Sequence, residues 1–187
     1  MKNETGIEPE TAIHRMVAAA REGREPRVIA RLYSGWALFG ERQFLRGYTL
    51  LLPDPVVPTL NALGSKERTT YLQDVARLGD AVLKLTGAAR INYAILGNQE
   101  PALHTHVIPR YPDEPDKLRV SHPWAYDWDA APLFDRAAYR DLADGLLREL
   151  TRMGVTKPMR FAPGANVSGG PAGGSGLPGP GWPDPER

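Results

Sequence analysis

His104 and His106 stand one residue apart in the stretch Ala102–Arg110, and the chain holds only two other histidines. On a β-strand, alternate residues share a face. The two imidazoles would therefore point one way, and Leu103, Thr105 and Val107 the other. Such a pair is costly to bury without partners and useful if a charged substrate lies over it. The chemistry open to it is displacement at a phosphate anhydride. A neutral ring nitrogen attacks phosphorus, a phosphate leaves, and water later opens the phosphoramidate, which divides one hard step into two easier ones. The second imidazole serves the phosphoryl or leaving oxygen. Backbone amides of the Gly97-Asn98-Gln99 turn could hold non-bridging oxygens as a small anion nest. A His-x-His pair is equally compatible with a wet sheet face or an incidental metal-binding pair.

The elements that must position this pair are readable from period and punctuation. Glu8 to Glu22 reads as a helix with Ile13, Met16, Val17 and Ala20 on one side, ended by Gly23 and Pro26. His14 on it reads as a surface or packing residue. Strands are expected at Arg27–Tyr33, Trp36–Phe39 and Tyr48–Leu52, with connections short enough for antiparallel pairing. Ser65 is expected to cap a helix from Lys66 to about Gly87, with Leu72, Val75, Ala76, Val82 and Leu83 as its apolar face and Gly87 as its C-cap. Ala88–Leu96 and Leu103–Ile108 complete the strands, the latter closed by Pro109. His122, Trp124, Tyr126 and Trp128 follow in a segment rich in Pro and Asp. It is either a rim over a site or a surface wrap with buried rings, and the burial value of aromatic rings favours the wrap. Asp135–Met153 is the last helix.

These elements make one α+β domain over residues 1–157, an antiparallel sheet with helices on one side. In residues 158–187 half the positions are Gly or Pro. That composition cannot bury enough surface to offset ordering entropy, so a disordered tail is expected.

The 187 residues suffice for one domain with a core. A net charge of +1 with an ordinary charged fraction argues for neither a nucleic-acid coat nor an acidic solvating chain. The absence of cysteine excludes disulfides, thiolate zinc sites and cysteine nucleophiles, and fits a reducing interior. No stretch has signal-peptide or membrane-span character, so a cytoplasmic protein without membrane or nucleic-acid partners is expected.

The stretch Ala102-Leu103-His104-Thr105-His106-Val107-Ile108, then Pro109-Arg110, resembles the signature of the histidine-triad family of nucleotide hydrolases and transferases. That signature is His-apolar-His-apolar-His followed by two apolar residues, often then Pro-Arg. Two positions depart: Ala102 stands at the first histidine and Thr105 at the second apolar spacer. Gly97-Asn98 resembles the family's Gly-Gln at the same distance upstream, and a looser likeness runs from about Val28 to about Tyr111.

The resemblance implies a nucleotide hydrolase or nucleotidyl transferase acting on a dinucleoside polyphosphate or nucleoside phosphoramidate. His104 would be the nucleophile at the α-phosphate, and His106 would hydrogen-bond near it. Asn98 and Gln99 would contact phosphate, and Glu41 or Asn92 would contact ribose. Arg110 could balance phosphate charge. No cofactor is required, although a divalent metal could accompany the nucleotide, and a homodimer is expected. Two other readings stand beside this one. The first is a nucleotide-binding regulatory protein with little activity, which Ala102 favours. The other is a metal-dependent hydrolase using His104, His106 and His122 with a carboxylate such as Asp113.

Overall fold

Apolar residues at both odd and even positions of a strand mean that the sheet is covered on both faces. Strands β2 (Gly35–Phe39) and β3 (Thr49–Pro53) are buried at every position. The computed structural model describes residues 10–159. Its sheet also contains β1 (Val28–Arg31), β4 (Arg90–Ala94) and β5 (Thr105–Arg110). The order is β1-β2-β3-β5-β4, and every neighbouring pair is antiparallel.

On one face, Ala37, Phe39, Leu51 and Val107 pack against two helices, α2 (Ser65–Thr86) and α4 (Arg140–Arg152). The opposite face carries Trp36, Leu38, Leu50, Leu52 and Ile108. It is covered by Ile13, Met16, Val17 and Ala20 of α1 (Ala12–Arg21). The expectation of helices on one side is thus corrected. A second apolar face on β2 and β3 needs its own cover, and α1 supplies it. Each fully buried aliphatic side chain in these layers contributes on the order of 1.5–3 kcal/mol.

Several boundaries move for local reasons. Thr11 caps α1, its side chain accepting from the backbone N–H of His14, while His14 Nδ1 accepts from the Thr11 N–H. The helix therefore begins at Ala12 rather than Glu8; residues 8 and 9 of that expectation lie outside the described residues. Gly64, not Ser65, is the N-cap of α2, whereas Gly87 closes the helix at φ 67° as expected. The buried stripe of α2 is Tyr71, Asp74, Val75, Leu78, Gly79, Ala81 and Val82. Leu72 and Leu83, expected inside, are exposed. Tyr71 sets this rotation: its hydroxyl meets Thr105 Oγ1 at 2.7 Å and donates to the Leu51 carbonyl at 3.0 Å.

Pro109 does not close β5, which runs to Arg110 with Ile91 opposite Pro109 and Arg90 opposite Arg110. Pairing with β3 has already ended at Val107. Proline is tolerated there because one side of the strand no longer needs a donor. After a short helix α3 (Asp116–Arg119), the last long helix starts at Arg140 rather than Asp135, whose carboxylate instead holds a turn by accepting from Ala138 N. Of the expected tail, all but Pro158 and Met159 lies outside the described residues. Among the described residues, no helix is long and apolar enough to cross a membrane.

Candidate active site

Strand β5 delivers the histidines. Leu50 of β3 faces His106, and Ala94 of β4 faces it from the other side. His104 immediately precedes the strand and keeps its alternation. The two rings lie with centroids 4.9 Å apart at 71°, so they share a face as expected. They are not on a wet surface, being only 5% and 6% exposed.

Each ring is held at Nδ1. Nδ1 of His104 lies 2.8 Å from the carbonyl oxygen of Ala102. A carbonyl only accepts, so this nitrogen must carry the proton. Burial pushes the His104 pKa down, against smaller upward pulls from that bond and from Glu100. The ring is therefore neutral, with its lone pair on Nε2. Nδ1 of His106 lies 2.6 Å from the hydroxyl of Tyr48. Burial, followed by the proximity of His104, lowers the His106 pKa to about 3, so it too is neutral at pH 7. Among the described residues, no hydrogen bond occupies Nε2 of either ring.

The segment after β5 covers the pair. Trp124 stands edge-on to His106 at 5.2 Å, and His122 lies 4.7 Å from Trp124. Trp128 packs on Phe44 at 4.1 Å and edge-on to Tyr48 at 5.6 Å. The wrap and the rim are thus the same object, since the rings that bury themselves do so over the histidines.

Arg110 shares the histidine face of β5 but is already committed. Its guanidinium donates to both oxygens of Glu114, to Asn92 Oδ1 at 2.8 Å, and to the carbonyls of Leu118, Arg119 and Ser121. Glu114 also accepts from Tyr126 Oη at 2.6 Å. Burial raises the Glu114 pKa, but the Arg110 and Tyr126 bonds outweigh it and leave the carboxyl below its usual range. Arg110 and Asn92, expected to meet phosphate and ribose, instead pin the covering segment to the sheet. The reason is geometric: the turn after β5 brings Glu114 within reach of the guanidinium.

Glu41 follows β2, where Oε2 stands 3.8 Å from Arg27 and its carbonyl accepts from Phe134 N. Asn98 and Gln99 are exposed on the loop between β4 and β5, which turns at Gly97 with φ 88°. Glu100 ties that loop to α1 by accepting from Ile13 N at 3.4 Å. A cleft of about 670 Å³, lined by residues including Phe44, Arg46, Thr86, Tyr111, Asp113 and Tyr126, touches neither His104 nor His106. It takes Asp113 away from the set proposed for metal. Among the described residues, no three His, Asp or Glu side chains converge to hold a metal ion. Sequence reasoning missed Tyr48 as a site residue. Its signal was parity: Tyr48, Leu50 and Leu52 share a face, and Leu50 pairs with His106.

The HIT-domain family model matches residues 37–113, which run from β2 through β5 and the turn after it. A histidine triad protein from Sinorhizobium meliloti is similar in structure, with a TM-score of 0.58 at 21% identity, covering 66% of this chain and 88% of that one. One from Marinobacter aquaeolei VT8 gives 0.62 at 19% identity, covering 76% and 97%. The diadenosine triphosphate hydrolase of Plasmodium falciparum, in complex with cyclomarin A, gives 0.52 at 14% identity, covering 68% and 78%. No curated protein matches the sequence. The fold is the one seen in these histidine-triad proteins. Residues 37–113 are thus similar to the HIT domain, and the likeness to the solved structures is one of fold.

Proposed function

We propose that the protein is a nucleotide hydrolase or nucleotidyl transferase that works through a covalent nucleotidyl-histidine on His104. The observation that carries this reading is the Nδ1 bond of His104 to the Ala102 carbonyl, which leaves the lone pair on Nε2 of a neutral ring. Nε2 attacks the α-phosphorus, and the bond from phosphorus to the leaving group's oxygen or nitrogen breaks. The leaving group departs with the bonding pair and takes its proton from solvent. His106 hydrogen-bonds an oxygen of the reacting phosphate. Water then opens the phosphorus–nitrogen bond, releasing the nucleotide and restoring the imidazole. Asn98, Gln99 and the amides around Gly97 belong to this reading as phosphate contacts, and Glu41 as a ribose contact. The substrate class rests on family resemblance, to which the diadenosine triphosphate hydrolase neighbour adds support.

The test is covalent capture. The protein is mixed with a dinucleoside polyphosphate, or a nucleoside phosphoramidate, labelled at the α-phosphorus, and quenched in alkaline denaturant. The label is expected on His104 and absent in His104→Asn, which still binds nucleotide. Undiminished turnover in His104→Asn removes the nucleophile. A chelator that abolishes turnover favours metal chemistry instead. The near-complete burial of both rings, together with Ala102, favours one alternative, a nucleotide-binding regulatory protein. Nucleotide binding without turnover in the parent selects it.

We also infer a homodimer. The outer side of β4 is a sheet edge, with Tyr93 exposed on it and Ile95 and Leu96 exposed just beyond. Sedimentation as a monomer at micromolar concentration would overturn this.

A further inference from the structure

Tyr48 lies outside the histidine stretch, yet three features converge on its hydroxyl. The first is the bond to His106 Nδ1 at 2.6 Å, with the two rings nearly parallel at 9° and 5.9 Å between centroids. The second is the room made for the ring. A Cβ on Gly40 would stand 2.1 Å from Tyr48 Cε1 and 2.2 Å from Cδ1, so the ring keeps its place only because residue 40 has no side chain. The third is the charge nearby. Arg27, held by Glu25 at 2.7 Å, is largely buried, and its positive charge acts on the phenol oxygen. A cation beside that oxygen weakens it as an acceptor and strengthens the O–H as a donor. Burial nevertheless keeps the phenol protonated.

We propose that Tyr48 is a positioning residue that donates its hydroxyl to Nδ1 of His106 and so fixes His106 as the Nε2–H tautomer. The two histidines then carry opposite tautomers on one face. His104, tied by Nδ1–H to a carbonyl, presents a lone pair; His106, tied by its Nδ1 lone pair to a phenol, presents a donor. A nucleophile and a phosphate-oxygen donor thus stand side by side without either ring being charged. No proton is transferred in the donation, because His106 is neutral and keeps its Nε2 proton. The use of the pair in phosphoryl chemistry rests on the proposed function, but the tautomer assignment does not.

Two-bond ¹H–¹⁵N spectra of the histidine side chains of the ¹⁵N-labelled full chain near pH 7.5 test the assignment, with signals identified by loss in His104→Asn and His106→Gln. The parent is expected to show His104 protonated at Nδ1 and His106 at Nε2. In Tyr48→Phe, which keeps the ring, the His106 signals should move toward a mixture of tautomers while those of His104 stay. If turnover is found, its kcat should fall about three- to tenfold at nearly constant KM, the worth of one orienting hydrogen bond. A parent His106 protonated at Nδ1, or His106 signals unmoved in Tyr48→Phe, overturns the proposal. The parent spectrum decides even if the variant does not fold. A parent without turnover defeats the proposed function and leaves the tautomer result standing.

Discussion

Nδ1 of His104 donates to a carbonyl that belongs to Ala102, two residues earlier in the same chain. The tie is made by backbone, so it does not depend on the side chain at 102. An alanine at the position where the family signature has its first histidine therefore costs the His104 ring none of its orientation. Ala102 is 1% exposed and sits in the same cluster as Ile13 and Ile108.

It follows that restoring the signature should harm the protein. Ala102→His forces an imidazole into a filled site, and overpacking of this kind costs about 1–3 kcal/mol. The urea midpoint is expected to fall without a gain in kcat. A variant as stable as the parent and faster would show that the histidine was missed for chemistry, not excluded by packing.

Arg110 and Glu114 form a buried pair, with side chains 7% and 3% exposed. Removing one partner of such a pair strands the other, at about 3–5 kcal/mol. Arg110→Ala should therefore unfold at markedly lower urea and loosen the segment carrying Trp124. A phosphate-binding arginine behaves differently: its loss weakens nucleotide binding and leaves the urea midpoint near that of the parent. Equilibrium unfolding and binding titration together separate the two.

The histidines also set a direction for stability against pH. The folded pKa of His106 is about 3, below the value of roughly 6.5 in an unfolded chain. Between these limits the unfolded chain binds a proton that the folded one refuses, so stability rises with pH. The contribution is complete above about pH 6.5 and is lost progressively as pH falls toward 3. His104, lowered chiefly by burial, acts in the same direction. Urea midpoints at pH 7.5 and 5.5 should differ in the parent and differ less in His106→Gln. Trp124→Ala should also flatten the slope, because uncovering His106 raises its pKa toward the unfolded value. A parent with equal midpoints at both pH values would show that the rings are solvated.

Much of the scaffold could be read from residue pattern. The α1 stripe of Ile13, Met16, Val17 and Ala20, the left-handed Gly87 stop and the five strands all follow from local rules. Errors fell where local rules are silent. Nothing in the α2 sequence says whether Leu72 or Tyr71 faces the sheet. The bonds from Tyr71 to Thr105 and Leu51 decide it. Pro109 reads as a stop, yet the strand continues because its β3 neighbour has already ended.

The sequence by itself determined that two imidazoles would share one face of a strand, because a period of two is local and the backbone enforces it. Only the tertiary structure decided what those imidazoles are. Register set Leu50 opposite His106 and so brought Tyr48 to its Nδ1. The fold after β5 drew Arg110 to Glu114 and laid Trp124 over the pair. Those partners lie up to 58 residues away in the chain. Contacts of that kind come from packing two faces of a sheet, and no local pattern records them.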